Sequence, residues 1–274
     1  MHFYKGNYST LTPLNKDTSV SFLKIKQIVL FLTICFYVSC NQGKPQLSKI
    51  DGKQVPIDSV LAQVDSIASF VAPYRNRINK ILDSTLAFAP KDINLDDGPR
   101  NTSMGNFMAD VLLEETRPLF LKQTGKELDF VIMNRGGIRS IISAGNVTAR
   151  HAFEVMPFEN YIAVVELDGS AMRKLISFLI NSSRIHAIAG MQIILDNTGH
   201  LESVNINGSP FDENKNYHVA TSDYLVQGGP SIGFFSDTVS VHNTGYLVRN
   251  AIIDHFKKID TVTAQVDDRF IQLN

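Results

Sequence analysis

The sequence has 274 residues, of which 26 are lysine or arginine and 27 are aspartate or glutamate, giving a formal net charge of −1. This balance, without a basic run, argues against a general surface for nucleic acid or for an anionic membrane. Of the two cysteines, Cys35 lies inside an N-terminal apolar run that is predicted to be removed, so that Cys40 alone remains and no disulfide framework is expected. The remaining length is enough for one domain with a substantial core.

Residues 1–40 are predicted to be a lipoprotein signal peptide. Lys24 and Lys26 precede an apolar run from Ile28 to Val38 that ends at Ser39-Cys40. A basic flank, a short apolar region and a small residue before the cut are typical of a secretory signal, and the run is short for a bilayer span. The terminal cysteine resembles the acylated cysteine of bacterial lipoproteins. We therefore expect lipid attachment at Cys40 and a membrane-anchored protein facing the periplasm or the cell surface. An ordinary signal peptide cut elsewhere and an uncleaved anchor are the alternatives.

The next segments are predicted to be a tether and a helix. Residues 41–55 are polar and contain Gly, Pro and Lys, as expected of a tether. Residues 56–97 form a linker-type helix region, in which a helix is predicted to run through about Leu82. Its apolar residues recur every three or four positions and form one stripe: Val60, Val64, Ile67, Val71, Tyr74, Ile78 and Ile81. An ordinary packing helix explains that stripe.

Residues 98–274 are predicted to form the main domain, which starts with alternating helices and strands. A helix is expected from Gly105 to Thr116, before Pro118. Buried strands are expected over Leu128–Met133 and Tyr161–Leu167. A helix over Ala171–Ile180 follows, with Ser170 as its N-cap.

The C-terminal half of this domain is predicted to be richer in hairpins. Met191–Leu195 and Leu201–Ile206 flank an Asn-Thr-Gly turn, which is a hairpin signal. A strand over Tyr217–Ala220, a helix over Thr244–Lys257 and a strand over Arg269–Leu273 complete the pattern. Hairpins mixed with crossovers predict an α+β fold in which helices flank a mixed β-sheet.

The most informative motif is Asn134-Arg135-Gly136-Gly137-Ile138-Arg139, which follows an apolar strand. Glycines allow a backbone to approach a ligand closely, and an arginine fork suits phosphate or carboxylate oxygens. Met156-Pro157-Phe158-Glu159-Asn160 comes some twenty residues later and offers an aromatic ring beside a proline. An anion clamp near an aromatic platform predicts a nucleotide site.

Together with Ala220-Thr221-Ser222-Asp223-Tyr224-Leu225-Val226-Gln227-Gly228-Gly229, these motifs resemble the C-terminal domain of the 5'-nucleotidases, a family that includes UDP-sugar hydrolases and cyclic phosphodiesterases. The resemblance begins near Ser103-Met104-Gly105-Asn106 and continues to the C-terminus. It implies a 5'-nucleotidase C-terminal domain-like fold. In two-domain members a helix placed like the predicted one before Leu82 joins the two halves.

The resemblance also implies roles for individual residues. Phe158 and Tyr224 correspond to the two aromatics that stack on the base, and Arg139 to an anion contact. Family positions that bind substrate or shape its loops correspond to Asn134, Asn160, Gly228 and Gly229. An equal alternative to substrate binding is that the two asparagines are turn residues whose side chains hydrogen-bond to their own backbone.

Three positions depart from the family pattern. Arg135 replaces a glycine and is predicted to be either a second anion contact or a solvent-facing charge. Gly98 occupies the position at which the family has a phosphate-binding arginine. Arg100 lies two residues later and is a candidate anion contact, because its long side chain can extend to the same place. Pro230 replaces the aspartate that binds the ribose hydroxyls, and proline offers neither a side-chain acceptor nor a backbone donor.

The sequence contains none of the metal-ligand patterns of the family's metallophosphatase domain, and its seven histidines are scattered. We therefore expect no catalytic residue, metal or other cofactor in this chain. Our first hypothesis is an exported substrate-recognition part of a 5'-nucleotidase-type hydrolase in nucleotide catabolism, working with a separately encoded metallophosphatase that supplies the metals. A non-catalytic lipoprotein that binds nucleosides or nucleotides, and a degenerate interaction scaffold, are the alternatives.

Overall fold

The structure is a computed structural model that describes residues 16–39, 47, 49–58, 61–228, 235 and 237–274, including the side chains of 24–35 within the first helix. Two compact units are present, Met1–Ala62 and Gln63–Asn274. In the first unit, helix α1 (Lys16–Ser39) contains the apolar run of the predicted signal. Among the described residues, no helix has the length and apolar character needed to cross a membrane. The predicted lipid site, Cys40, lies outside the described residues.

The second unit contains the predicted domain. Its helices are, in chain order, α2 (Asp65–Leu82), α3 (Ser103–Thr124), α4 (Ala149–Val155), α5 (Gly169–Asn181), α6 (Asp223–Val226) and α7 (Val248–Lys258). Its strands are β1 (Thr85–Ala89), β2 (Phe130–Met133), β3 (Gly145–Thr148), β4 (Tyr161–Leu167), β5 (Ala187–Ala189), β6 (Met191–Leu195), β7 (Leu201–Ile206), β8 (Ser209–Pro210), β9 (Tyr217–Ser222), β10 (Ser240–Leu247) and β11 (Phe270–Gln272).

A mixed sheet organises the second unit, and its described strands run in the order β10-β4-β9-β2-β5. Strand β2 pairs in parallel with β9, whereas β4 pairs antiparallel with both β9 and β10. Side chains alternate between the two faces of a strand. Val131 and Met133 therefore join the core that contains α3 and α7, whereas Phe130 and Ile132 join the core that contains α5, β6 and β7. Burial on both faces explains the continuous apolar sequence of β2.

Two smaller sheets are also present among the described residues of this unit. Strands β6 and β7 pair antiparallel, which confirms the predicted hairpin, and β11 pairs in parallel with β6. Strands β1 and β3, which the sequence patterns did not indicate, form a separate antiparallel pair. The predicted α+β fold with a mixed sheet and flanking helices is confirmed.

Several predicted boundaries are wrong, and three of them have a clear physical cause. Helix α3 continues through Pro118 to Thr124, because the turn beyond the proline buries Phe120 and ends at Gly125 with a left-handed φ of 72°. The N-cap of α5 is Asp168, whose side chain accepts a hydrogen bond from Ala171 N at 2.8 Å, and not Ser170. Residues 244–247 extend β10 instead of starting α7, because that strand pairs with β4.

Helix α2 confirms the predicted helix through Leu82, but it begins at Asp65 and buries none of its residues. Its apolar stripe is open to solvent, with Ile67 61% and Tyr74 63% exposed. The predicted packing of this stripe against the domain is therefore wrong. The contacts that hold the end of α2 are polar: Arg150 of α4 donates from Nε to Asp83 Oδ1 at 2.6 Å and from Nη2 to Asn79 Oδ1 at 3.0 Å.

Candidate functional site

Three chain segments meet at one edge of the central sheet. Strands β2 and β9 run in parallel, so the residues that follow them emerge at the same edge. Strand β4 is antiparallel to β9, and Ile162 lies opposite Ser222, so the residues that precede β4 also reach this edge. The topology therefore brings together the three motifs that are distant in sequence.

The first segment is the glycine loop, which begins at Asn134, where β2 ends. Residues Arg135–Gly137 form one turn of 3-10 helix, closed by a hydrogen bond from Gly137 N to Asn134 O at 3.0 Å. A Cβ on Gly137 would lie 2.9 Å from Asn134 Oδ1, so only glycine fits here without a shift. Arg139 N donates to Val155 O at 2.9 Å, which ties the loop to the end of α4.

The second segment carries Phe158, whose side chain is 41% exposed. Arg249, which is buried at the start of α7, donates from Nη1 to Phe158 O at 3.4 Å. Val248 N donates to Asn160 O at 3.0 Å. These contacts with α7 hold the backbone of the loop while the aromatic ring stays accessible.

The third segment carries Tyr224, which is 48% exposed on the short helix α6. Asp223 Oδ1 accepts hydrogen bonds from Tyr224 N at 2.8 Å and from Tyr161 N at 3.1 Å. One carboxylate therefore links the start of β4, beside the Phe158 loop, to the segment that carries Tyr224. Gly228 follows with a φ of 99°, a conformation that favours glycine.

These segments line one cleft of about 330 Å³. Its walls contain both aromatic rings, both asparagines, two glycines of the glycine loop and the predicted anion contact, together with an arginine that the sequence did not indicate: Asn134, Gly136, Gly137, Arg139, Phe158, Asn160, Arg184 and Tyr224. The structure therefore brings together five of the predicted site residues. Gly228 follows Tyr224 without lining the cleft, and Gly229 and Pro230 lie outside the described residues.

The two candidate arginines lie elsewhere. Arg135 lines an adjoining cleft of about 450 Å³ that shares Gly136, Arg139 and Arg184 with the first one. Its Nη2 is 3.1 Å from Asp96 Oδ1. Arg100 lines neither cleft: its guanidinium donates to Ile180 O and Gln272 Oε1, both at 3.3 Å. The structure does not bring Arg100 to Phe158 or Tyr224, and its role as an anion contact stays a prediction.

Arg184 lies between α5 and β5, close to the half-buried His186. Burial lowers the pKa of His186 to about 4, and the positive charge of Arg184 acts in the same direction, so the imidazole is neutral at pH 7. The sequence offered little to identify Arg184, because a basic residue in the polar stretch after a helix is ordinary. Only the fold places it opposite the glycine loop.

Other clefts of the second unit fit a ligand less well. Those beside Arg269 measure about 390 and 440 Å³ and contain no aromatic residue. Arg269 is already paired with Asp110 and Asp267, at 2.9 and 2.7 Å. Within the described residues, no group of three or more His, Cys, Asp or Glu side chains is placed to hold a metal ion. The chemistry available at the aromatic cleft is stacking, amide hydrogen bonding and anion pairing.

This chain is similar to known proteins in sequence and in structure. The family model described as "5'-nucleotidase, C-terminal domain" matches residues 86–237. The chain is 25% identical over 225 residues to "Protein UshA" of Yersinia enterocolitica, covering 78% of this chain and 39% of that protein. It is 24% identical over 250 residues to "Trifunctional nucleotide phosphoesterase protein YfkN" of Bacillus subtilis, covering 84% and 16%.

A 5'-nucleotidase precursor from Thermus thermophilus has a similar structure, with a TM-score of 0.63 at 21% identity, over 77% of this chain and 44% of that one. This likeness concerns the fold. The chain spans less than half the length of each of these three proteins.

Proposed function

Because the chain belongs to the 5'-nucleotidase C-terminal domain family, we propose that it recognises nucleotides or nucleosides as the substrate-binding part of a 5'-nucleotidase-type hydrolase in nucleotide catabolism. The observation that carries this proposal is the cleft in which two half-exposed rings, Phe158 and Tyr224, stand beside Arg139. Flat rings held by the backbone bind a base with little loss of conformational entropy.

Each group in the cleft has a distinct part in this proposal. The rings of Phe158 and Tyr224 stack on the base, and the amides of Asn134 and Asn160 hydrogen-bond to the base or the sugar. Arg139 pairs with the phosphate, because a guanidinium matches phosphate oxygens in charge and geometry. The glycine loop allows the ligand to approach the backbone closely.

Hydrolysis in this scheme depends on metals held by a separately encoded metallophosphatase, because uncatalysed phosphate-ester cleavage is extremely slow. The solvent-exposed apolar stripe of α2 offers a surface for contact with that partner. The purified chain alone is expected to show no chelator-sensitive turnover of AMP, and robust turnover of that kind would contradict the scheme.

Export and lipid anchoring at Cys40 belong to the same proposal, supported by the basic flank and apolar run of the N-terminus. The several acyl chains of a bacterial lipoprotein anchor firmly, whereas a single chain binds weakly. Cys40→Ser is expected to move the protein from the membrane to the soluble fraction and to lower its mass by the lipid. If neither the fraction nor the mass changes, Cys40 is not acylated.

Calorimetry with adenosine and AMP tests the central proposal on the full chain. Both ligands are expected to bind the wild type. Arg139→Ala is expected to weaken the binding of AMP by about tenfold to a hundredfold, which corresponds to the loss of a hydrogen bond to a charged group. The affinity for adenosine is expected to stay unchanged. If no nucleoside or nucleotide binds the wild type at millimolar concentration, the interaction-scaffold alternative replaces this proposal.

A further inference from the structure

Arg184 is held in the cleft by a compact turn. Its backbone N donates to Ser182 Oγ at 3.1 Å, and the same hydroxyl lies 3.1 Å from His186 Nε2. The His186 ring packs on Phe178 of α5 with its centroid 4.9 Å away. These contacts hold the segment around Arg184, whose side chain lines the cleft from there.

Arg184 and Arg139 converge on Gly136. Arg139 Nη1 donates to Gly136 O at 3.3 Å, and Arg184 Nη1 lies 3.9 Å from the position that a Cβ on Gly136 would occupy. Both side chains line the aromatic cleft and the adjoining cleft. Two guanidinium groups that line the same clefts repel each other, and an anionic group bound to each of them lowers that cost.

The charges around the two clefts do not balance. Among the residues that line the two clefts, Arg135, Arg139 and Arg184 contribute three positive charges, against the single carboxylate of Asp96, which pairs with Arg135 and is 88% exposed. An exposed pair of this kind contributes little. Within the described part of the chain, no carboxylate lies within ion-pair distance of Arg139 or Arg184. An excess of positive charge therefore runs from the aromatic rings into the adjoining cleft.

We propose that Arg184 is a second anion contact, which makes the cleft select a nucleoside carrying two or more phosphoryl groups over the corresponding monophosphate. This inference rests on the proposed function, because it assumes that the base stacks on Phe158 and Tyr224. The first phosphoryl group then pairs with Arg139, and the next one extends toward Arg184 and the adjoining cleft. A monophosphate leaves Arg184 without an anion.

Calorimetric Kd values for nucleoside, monophosphate and diphosphate in the adenine and uracil series test this inference on the full chain. Arg184→Ala is expected to raise the Kd for the diphosphate by about tenfold to a hundredfold. The Kd for the monophosphate is expected to rise much less, and the Kd for the nucleoside not at all. Arg184→Lys keeps the charge without the fork and is expected to fall between the wild type and Arg184→Ala.

Arg173→Ala is the matched control, because Arg173 is a half-exposed arginine of α5 that pairs with Glu213 and lines neither cleft. It is expected to leave all Kd values unchanged. Thermal melts are expected to show Arg184→Ala folded, since its side chain is exposed.

Three results would overturn the inference. The first is an unchanged ratio of diphosphate to monophosphate affinity in Arg184→Ala, and the second is an equal loss for the nucleoside. In either case an Arg139-dependent affinity for AMP would leave the proposed function intact. The third, a wild type that binds none of the ligands, overturns the inference and the proposed function together.

Discussion

Replacing Phe158 by alanine removes one wall of the proposed base site. The 41% of Phe158 that is exposed is the part still available to a ligand. An aromatic side chain has roughly 200 Å² of surface, so the exposed part is about 80 Å², worth about 2 kcal/mol at roughly 25 cal/mol per Å². This agrees with the value of about 1–3 kcal/mol for stacking on one base. We therefore expect the Kd for adenosine to rise by about thirtyfold.

Isothermal calorimetry on the full chain measures this change, with two variants for comparison. Phe88→Ala removes a ring of similar exposure, 49%, from β1 outside the cleft, and its Kd is expected to equal that of the wild type. Phe158→Leu keeps apolar area without a flat ring and is expected to recover only part of the lost affinity. An unchanged Kd for Phe158→Ala, or full recovery by leucine, would refute stacking on this residue.

Further predictions address the scaffold of the site, its acid stability and its sugar preference. Asp223→Ala removes the acceptor shared by Tyr161 N and Tyr224 N. It is expected to lower the free energy of unfolding by about 1–2 kcal/mol and to weaken nucleoside binding, with Asp223→Asn milder in both urea unfolding and calorimetry. Hydrogen bonds, first from Asn216 and then from Lys126, lower the pKa of Glu166 from 4.5 to about 2. Its contribution to stability is thus complete above about pH 4.5 and is lost as the pH falls toward 2. Urea midpoints across that window should fall less in Glu166→Gln than in the wild type, and parallel curves would refute the linkage. With proline at position 230, adenosine and 2'-deoxyadenosine should bind almost equally, and a strong preference for the ribose form in a competition assay would contradict this expectation.

Local sequence patterns correctly predicted those helices and strands whose tertiary contacts agree with their own structural preference. Strand β4 occurs over the predicted Tyr161–Leu167, and β6 and β7 form the predicted hairpin. They succeed because apolar periodicity and turn residues act over a few positions. The boundaries failed where distant packing decides: burial of Phe120 carries α3 past Pro118, and pairing with β4 makes residues 244–247 a strand.

For the exposed stripe of α2, the sequence predicted the element but not its surroundings. Its periodicity predicted the helix correctly but gave the wrong environment, since none of its residues is buried. Periodicity reports that a helix has an apolar face, and it does not report which surface covers that face.

The sequence by itself determined the residue types of the candidate site. Asn134, Arg139, Phe158 and Tyr224 belong to motifs whose chemistry can be inferred from the residue types alone. Only the tertiary structure decided that these motifs share one cleft, because the parallel and antiparallel pairings of β9 bring their segments to one sheet edge. The tertiary structure alone also placed Arg184 in this cleft. That arginine follows a different helix and has no local pattern, and its position depends on contacts between residues far apart in the chain.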